Sequence, residues 1–282
     1  MSDQTMTGRT ILVTGASDGI GAETAKVLAS RGATVHVTGR SADKLRPVAE
    51  AVGTEPLVAD FSRLDDVRRL AEQVAERVET LDVLMNNAGG TFSPSQQTPD
   101  GHEPNFQVNH LAPFLLTHLL RPRLAAAGRS LVVNTSSIGN LMGKVVLDDL
   151  DYARRRAFEF PAYGTGKLMN IVFTRGIAQR WSDAGIASVA VHPGPVGSSF
   201  GRDSWLVGLL YRTPLKRFAT ISVPDGAAPL IALADRGPDA EINGRYFSRF
   251  NPDGRENPQA RDQAIIDGLW ERSEALVGVG VG

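Results

Sequence analysis

The sequence predicts an α/β protein with a single domain, built on a Rossmann-type doubly wound parallel sheet that is flanked by helices. Two observations support this fold class. Short runs of apolar and β-branched residues, such as Thr10–Val13, alternate with longer helical patterns, such as Leu64–Val78. Runs that are apolar throughout are typical of strands buried on both faces, as in parallel sheets covered by helices. The 282 residues also contain no repeat, low-complexity tract or linker that would divide them into two domains.

The predicted elements alternate along the chain. Strands are predicted at Thr10–Val13, Thr34–Thr38, Pro56–Ala59, Leu81–Met85, Ser130–Asn134 and Ala187–Val191. Helices are predicted at Ile20–Ser30, at Leu64–Val78, from about Glu103 to Leu124, and from about Ala162 onwards. Right-handed crossovers between parallel strands put such helices on both faces of the sheet. We therefore expect ligands to bind outside the carboxyl ends of the strands.

Three segments lie outside this alternation. Residues 1–8 are predicted to be a flexible N-terminus, so that the domain comprises residues 9–282. An insertion at about 143–161 carries an acidic cluster beside three arginines. A segment at about 197–223 is rich in leucine and aromatic residues, and we expect it to shape a pocket at the edge of the sheet.

The composition excludes several classes of function. A formal net charge of -1 gives no reason to expect nucleic acid or an anionic membrane as a partner. The absence of cysteine excludes disulfides, thiolate catalysis and cysteine zinc sites. The five histidines lack the H-E-x-x-H spacing, and Asp148–Asp151 is more typical of a solvated turn than of a calcium site, so we predict no metal. Since residues 1–8 are polar and no apolar stretch is long enough to span a membrane, we expect a soluble, cytoplasmic protein.

A glycine-rich turn, Thr14–Gly21, follows the first predicted strand and leads directly into a helix. Glycine lets a backbone approach a ligand closely, and the free N–H groups and positive dipole end of a helix suit a pyrophosphate. The alternative is a tight turn that binds nothing, but its place after the first strand of an alternating chain favours phosphate binding. Contacts with a dinucleotide are predicted from Gly15, Ser17, Asp18, Gly19, Ile20 and Gly21.

The end of the second predicted strand indicates which dinucleotide is bound. An acidic residue there would bind the ribose 2′-hydroxyl of NAD, whereas an arginine pairs with the 2′-phosphate of NADP. Gly39 stands where the acid is expected, and Arg40 follows it. We therefore predict NADP(H), with NAD(H) as the weaker cofactor. The alternative is that Arg40 is an ordinary surface arginine.

The spacing Thr-Gly-x-x-x-Gly-Ile-Gly resembles the signature of the short-chain dehydrogenase/reductase family, and the resemblance extends from about Arg9 to Val277. It implies a nicotinamide cofactor, with Asp60 at its adenine and Phe61 beside Asp60. Asn86–Gly89 matches the family's Asn-Asn-Ala-Gly motif, and the family's Pro-Gly motif, which here follows the predicted strand Ala187–Val191, borders the nicotinamide carboxamide. The resemblance thus adds these predicted contacts: Asn87, Ala88, Gly89, Pro193, Gly194, Val196 and Ser198.

Tyr163 and Lys167 are four residues apart and therefore share one face of a helix. A phenol can donate a proton to a carbonyl oxygen, and a nearby ammonium stabilises phenolate. With Ser137, which precedes Ile138-Gly139, the pair matches the family's Ser…Tyr-x-x-x-Lys pattern, and Asn109 matches the fourth member of its tetrad. The resemblance implies that Tyr163 is the general acid/base and that Ser137 orients the substrate oxygen. It also implies that Lys167 holds the nicotinamide ribose and that Asn109 holds a water for proton return.

Within the family, the chain resembles the retinol dehydrogenase and WW-domain oxidoreductase branch. The matching features are Val108–Thr117, the gap of about 25 residues before Tyr163, Gly244–Phe247 and Leu269–Ser273. The chain departs from the retinoid enzymes because it begins without a hydrophobic anchor. We therefore expect a moderately apolar carbonyl or alcohol as substrate rather than a retinoid, with residues 197–223 as the substrate loop.

Two other functions remain as alternatives. The first is an epimerase or dehydratase of the extended branch, which the short chain and the spacing of its glycines disfavour. The second is a non-catalytic sensor or scaffold that binds NADP, which the four filled catalytic positions disfavour. The resemblance also suggests a homodimer or homotetramer through the helices that carry Asn109 and Tyr163. The apolar residues of the second helix would then face either a partner or the core, namely Leu168, Ile171, Val172 and Ile177.

Overall fold

A computed structural model describes residues 6–195 and 221–280. In these ranges, seven strands form one sheet with the order β3-β2-β1-β4-β5-β6-β7, and every neighbouring pair is parallel. The strands are β1 (Thr10–Thr14), β2 (Thr34–Gly39), β3 (Leu57–Val58), β4 (Val83–Asn86), β5 (Ser130–Thr135), β6 (Ile186–His192) and β7 (Tyr246–Ser248). The predicted fold class is confirmed. From β1 the chain adds β2 and β3 on one side, and from β4 it adds β5, β6 and β7 on the other side. The strand order therefore reverses between β1 and β4, and the crevice for a ligand opens beyond their carboxyl ends.

Helices cover both faces of the sheet. They are α1 (Gly19–Ser30), α2 (Ala42–Val52), α3 (Leu64–Arg77), α4 (Pro104–Phe106), α5 (Ala112–Ala126), α6 (Glu159–Trp181), α7 (Val223–Arg236) and α8 (Gln263–Val277). Four shorter turns complete the description: a π-helix at Gln107–Leu111 and 3₁₀-helices at Ile138–Met142, Ser182–Ala184 and Pro258–Arg261.

The core consists of two apolar layers, one on each face of the sheet. Successive strand side chains point to opposite faces, and the strand residues divide accordingly. Leu131 and Val133 pack with α1, α2 and α7, whereas Val132 between them packs with α3, α5, α6 and α8. The central strands β1, β4, β5 and β6 supply apolar residues to both layers, which explains why they read as largely apolar runs.

The helix predicted from Glu103 to Leu124 is divided into three parts. Glu103 caps α4, the π-helix follows, and α5 continues to Ala126. A proline has no N–H to donate to the carbonyl four residues earlier, and Pro113 stands four residues after Asn109. The widened turn therefore occurs where regular α-helical hydrogen bonding is already interrupted.

Some predicted boundaries differ from the structure. Met6 is buried, and its N–H donates to the carbonyl of Arg31 at 2.8 Å, so ordered structure begins before Arg9. No helix or strand was predicted at the positions of α2, α7, β7 and α8. A helical pattern was present in α2, since its buried Leu45, Val48 and Ala49 have helical spacing.

The insertion at 143–161 packs onto α6 and the C-terminal part of the chain. The N–H of Lys144 and the hydroxyl of Tyr152 both donate to Thr165 Oγ1, at 3.0 and 2.8 Å. The amide of Gln259 pairs with both backbone groups of Val145. The insertion therefore forms part of the domain's body beside the helix that carries Tyr163.

The apolar residues of α6 face the core of their own chain. Leu168, Ile171, Val172 and Ile177 are at most 1% exposed and pack in one layer with Trp270 of α8. They are therefore covered within one chain, so they give no support to a dimer interface; a homodimer or homotetramer stays a prediction. No helix within residues 6–195 or 221–280 is long and apolar enough to cross a membrane.

Candidate active site

The glycine turn after β1 forms a cradle that has no room for a side chain at Gly15 or Gly21. Gly15 has a φ of 66°, and a Cβ on it would lie 2.7 Å from the Cα of Ala88. A Cβ on Gly21 would lie 2.4 Å from the carbonyl oxygen of Gly15. Asp18 caps α1 by accepting a hydrogen bond from the N–H of Gly19 at 2.7 Å. Ile20, in the first turn of α1, packs against the core. At Gly15 and Gly21 the chain presents only backbone, and the turn leads directly into the start of a helix, an arrangement that suits a pyrophosphate.

The loop after β4 is fastened to the glycine turn. The hydroxyl of Thr14 accepts hydrogen bonds from the N–H groups of Asn87 and Ala88, at 3.0 and 2.9 Å. The side-chain amide of Asn87 donates to the carbonyl of Thr14 at 3.0 Å. The predicted residues Asn87, Ala88 and Gly89 thus lie at the mouth of the crevice, and the structure shows how the Asn-Asn-Ala-Gly motif supports it.

The end of β2 carries polar groups that suit a phosphate. A Cβ on Gly39 would lie 2.0 Å from Ser17 Oγ, so an acidic side chain does not fit without displacing that serine. Ser17 Oγ is buried and has no hydrogen-bond partner, while Arg40 beside it is exposed. An unsatisfied buried hydroxyl costs about 1–3 kcal/mol, which a bound polar group would recover. These residues fit the adenosine end of a dinucleotide.

Asp60 and Phe61 follow β3, beside the same strand end. The N–H of Ala59 donates to the carbonyl of Gly39 at 3.2 Å, which brings the two segments together. Asp60 accepts from the N–H of Ser62 at 2.9 Å and is half-buried, whereas Phe61 is buried in the core. Asp60 is therefore available at the crevice edge, and Phe61 supports it from below.

The predicted catalytic side chains converge beyond β5. The position of a Cβ on Gly139 lies 3.1 Å from the ring of Tyr163 and 3.5 Å from Ser137 Oγ. The Nζ of Lys167 is 5.8 Å from the centre of the Tyr163 ring and donates to the carbonyl of Thr135 at 3.1 Å. The fold therefore brings the side chains of Ser137, Tyr163 and Lys167, which were predicted from the sequence, together beyond the end of β5.

Lys167 is 1% exposed, and its burial lowers the pKa of its ammonium to about 7. Within the described residues, no carboxylate forms an ion pair with it. The site therefore favours any anion that forms next to Lys167. A phenolate at Tyr163 is such an anion, since it would stabilise the ammonium that burial disfavours.

The two adjacent serines have different partners. Ser136 is 2% exposed, and its hydroxyl donates to the backbone carbonyl of Lys167 at 2.7 Å. Ser137 is half-buried, and its hydroxyl oxygen accepts from the N–H of Gly139 at 3.1 Å. Ser137 therefore keeps its proton available for another acceptor, while Ser136 fixes the helix that carries the lysine.

Asn109 holds the loop after β4 through both atoms of its amide. It donates to the carbonyl of Gly90 at 2.9 Å and accepts from the N–H of Gly90 at 3.1 Å. Its Nδ2 also donates to the carbonyl of Asn105 at 3.1 Å. The side chain therefore positions the loop, a role that the resemblance did not imply. A water held through the side chain of Asn109 has few bonding directions left.

A second asparagine, which was not predicted as a site residue, also holds the loop after β4. Asn105 pairs with the N–H and carbonyl of Phe92, at 3.0 and 2.9 Å, and also donates to buried Glu103 at 2.7 Å. Asn105 and Asn109 are four residues apart, a spacing that places them on one helical face. This spacing was the only available signal, because the paired loop is remote in sequence.

The segment after β6 borders the same edge. Pro193 and Gly194 are buried, and Gly194 has a φ of 104°. Burial, followed by the charge of Arg249, lowers the pKa of His192 to about 4, so its imidazole is neutral at pH 7. A buried, neutral imidazole of this kind is typical of a structural role. Val196 and Ser198 lie outside the described residues, as does most of the predicted substrate loop.

The acidic cluster in the insertion differs from the solvated turn that was predicted. Asp149 is 7% exposed and pairs with Arg155 at 3.4 Å. Asp151 pairs with His102 at 3.0 Å, and Asp148 with Arg272 at 2.8 Å. The carboxylates separate because each has its own side-chain partner, an arginine for Asp148 and for Asp149 and a histidine for Asp151. In the part of the chain that the structure describes, no group of three or more acidic or histidine side chains is arranged to hold a metal.

A doubly wound sheet with this cradle at its switch point, and with a serine, a tyrosine and a lysine beyond its edge, defines a class of nicotinamide-dependent oxidoreductases. The comparisons with known proteins agree. The short chain dehydrogenase family model matches residues 9–205. Mouse retinol dehydrogenase 12 is 38% identical over 280 residues, covering 96% of this chain and 87% of the relative.

Two further relatives and two solved structures extend this finding. Human retinol dehydrogenase 13 is 33% identical, covering 99% of this chain and 87% of the relative. A Streptomyces protein named as a daunorubicin C-13 ketoreductase is 39% identical, covering 96% and 93%. The structure of an uncharacterized protein from Mycobacterium paratuberculosis has a TM-score of 0.79 and 31% identity, covering 99% and 96%. An Escherichia coli short chain dehydrogenase complexed with NADPH has a TM-score of 0.67 and 26% identity, covering 89% and 100%.

The chain therefore belongs to the short-chain dehydrogenase/reductase family, within its retinol dehydrogenase branch. The family prediction made from the glycine turn and the later motifs is confirmed. The protein is an oxidoreductase with a nicotinamide cofactor, and it acts on a small molecule.

Proposed function

We propose that the protein is an NADP(H)-dependent oxidoreductase that interconverts an apolar carbonyl compound and its alcohol, with Tyr163 as general acid/base. The observation that carries the proposal is the convergence of Ser137, Tyr163 and Lys167 at the same edge of the sheet as the glycine cradle. The named activity of the Streptomyces relative, ketone reduction, is of the same type.

The bound nicotinamide supplies or accepts the hydride, and the residues of this chain manage the proton and the substrate. Ser137 donates to the substrate oxygen and fixes its position. Tyr163 gives its phenolic proton to that oxygen in reduction and takes it back in oxidation. The buried ammonium of Lys167 stabilises the phenolate, because opposite charges attract strongly where water is excluded.

The removal of the Tyr163 hydroxyl tests the catalytic role. We expect Tyr163→Phe to lower turnover of an apolar aldehyde by about a thousandfold or more, since general acid catalysis contributes a large factor. Binding of NADPH, followed by quenching of tryptophan fluorescence, should stay within about threefold. Tyr152→Phe is the matched control, because its hydroxyl bonds to Thr165 outside the group. Retained turnover in Tyr163→Phe would exclude the proposed role.

The cofactor preference rests on Gly39, Ser17 and Arg40. We propose that Arg40 pairs with the 2′-phosphate and that the unpartnered hydroxyl of Ser17 donates to the same group. Arg40→Asp should lower the ratio of NADPH to NADH affinity by about a hundredfold, as expected from the loss of charge-assisted hydrogen bonds. Arg46→Asp, at an exposed arginine of α2, is the control. An unchanged ratio in Arg40→Asp would contradict the assignment.

A further inference from the structure

A tight turn after β7 carries an arginine in an unusual conformation. Ser248 and Asn251 exchange two backbone hydrogen bonds, at 2.9 and 3.1 Å, and Arg249 and Phe250 form the tip between them. Arg249 has a φ of 55°, in the left-handed region that L-residues avoid at a cost of about 1–2 kcal/mol. Strained residues of this kind cluster at functional sites.

The sheet register aligns this turn with the catalytic edge. Thr135 is paired with Val191, and His192 with Ser248, while the N–H of Arg249 donates to the carbonyl of His192 at 2.8 Å. Ser137 follows β5 at the same edge. Because neighbouring strands lie about 4.8 Å apart, the backbone of Arg249 stands roughly 10 Å across the edge from Ser137. A small substrate can bridge this distance.

The side chain of Arg249 lies over the segment that follows β6. Its Cδ is 3.6 Å from the position of a Cβ on Gly194. Its Nε is buried without a hydrogen-bond partner, and no carboxylate within residues 6–195 or 221–280 forms an ion pair with it. Phe250, which is 56% exposed, lies with its ring centre 5.8 Å from the guanidinium. A cation with an unused donor therefore stands next to an exposed apolar surface.

We propose that Arg249 binds a carboxylate of the substrate, so that the natural substrate is an apolar carbonyl compound or alcohol that carries an acidic group. This inference rests on the proposed function and adds the substrate class. Phe250 contacts the apolar body of that substrate, and the guanidinium pairs with its carboxylate. The anion satisfies Nε, which has no partner among the described protein atoms.

The cofactor does not account for Arg249 equally well. The cradle for its pyrophosphate follows β1, four strands away from β7 in the sheet order. Four strand spacings amount to roughly 19 Å, which an arginine side chain does not reach. The nicotinamide carboxamide is neutral and needs no cation. An acidic group on the substrate is the anion that this position can meet.

Two probes of the same shape test the proposal: 4-formylbenzoate, which is anionic, and its methyl ester, which is neutral. Both are assayed with NADPH, and both are titrated against protein with and without NADP⁺. The variants are Arg249→Gln, which removes the charge, and Arg249→Lys, which retains it. Arg245→Gln removes an arginine that precedes β7 and pairs with Asp253 at 3.5 Å. Thermal unfolding of each variant shows whether it is folded.

We expect wild type to favour the acid over the ester in kcat/KM and in affinity. Arg249→Gln should lower this preference at least tenfold, mainly through the KM of the acid, whereas Arg249→Lys retains most of it and Arg245→Gln all of it. The affinity for NADPH should stay unchanged. These results together support the proposal.

Three outcomes would overturn it: an unchanged preference in folded Arg249→Gln, an equal loss for both probes with weaker NADPH binding, or no binding of the acid to wild type. A fourth result would separate the failure of the proposed function from the failure of the carboxylate site. If wild type binds the acid through Arg249 but turns over neither probe, the carboxylate site stands and the oxidoreductase proposal for these aldehydes fails.

Discussion

The carboxyl edge of the sheet has two halves that are built in different ways. After β1 and β4, backbone atoms pack against backbone atoms, and Gly15 is fastened to Ala88 through Thr14 and Asn87. After β6 and β7, a buried His192 and a strained Arg249 border the edge, and the side chain of Arg249 has an unused donor.

This difference follows from the ligands. The pyrophosphate is common to NAD and NADP, so the half that binds it can be a rigid surface of N–H groups and glycines. Substrates differ among relatives, and side chains change more readily than a backbone path. We therefore expect substitutions after β1 and β4 to lower the affinity for the cofactor through steric clashes. We expect substitutions after β6 and β7 to change the preference among substrates and the backbone strain.

The largest effect is expected from filling the cradle. Gly15 and Gly128 have similar φ values, 66° and 71°, but a Cβ on Gly128 meets nothing within 4 Å. Gly15→Ala should therefore lower NADPH affinity by about a hundredfold, because it adds a clash to the strain. Gly128→Ala should cost only about 1 kcal/mol of stability from its left-handed backbone and leave affinity unchanged. If fluorescence titrations gave the same NADPH affinity for the two variants, close backbone contact at Gly15 would not explain cofactor binding.

The next effect concerns the buried charge between the halves. The pKa of Lys167 is lowered to about 7 in the folded protein, so the unfolded chain binds more protons above pH 7, and this lysine's contribution to stability rises with pH. Lys167→Met should therefore stabilise the cofactor-free protein more at pH 6 than at pH 9, by about 2 kcal/mol. Urea unfolding at both pH values measures this. Lys144→Met, at an exposed lysine, is the control and should show no such difference.

The smallest effect is expected at the strained turn. Asparagine adopts left-handed backbone more readily than arginine, so Arg249→Asn should raise the free energy of unfolding by about 0.5 kcal/mol. It should lose acid preference at the same time. Arg245→Asn should give neither change, since Arg245 has no positive φ. Loss of stability in Arg249→Asn would show that Arg249 is held by packing rather than kept for binding.

Several features could be predicted from local sequence. The glycine turn is one, because close approach and positive φ require glycine at fixed spacing. The Tyr163–Lys167 pair is another, because four residues place two side chains on one helical face. Asn105 and the loop contacts of Asn109 could not be predicted, because a π-helix follows Asn105 and the partners of both side chains belong to a remote loop. The partners of Asp149 were likewise hidden, since folding brings its arginine and carboxylate into one buried pair.

The sequence by itself determined the fold class, the family and the glycine turn, and it predicted Ser137, Tyr163 and Lys167 as catalytic side chains, since these features depend on periodicity and on short fixed spacings. Only the tertiary structure decided which serine keeps a free hydroxyl, how Asn109 is used, and that Arg249 lies at the catalytic edge. These depend on strand register and on contacts between segments far apart in the chain. Local spacing does not encode them, because strand pairing fixes a residue's neighbours only after the sheet has formed.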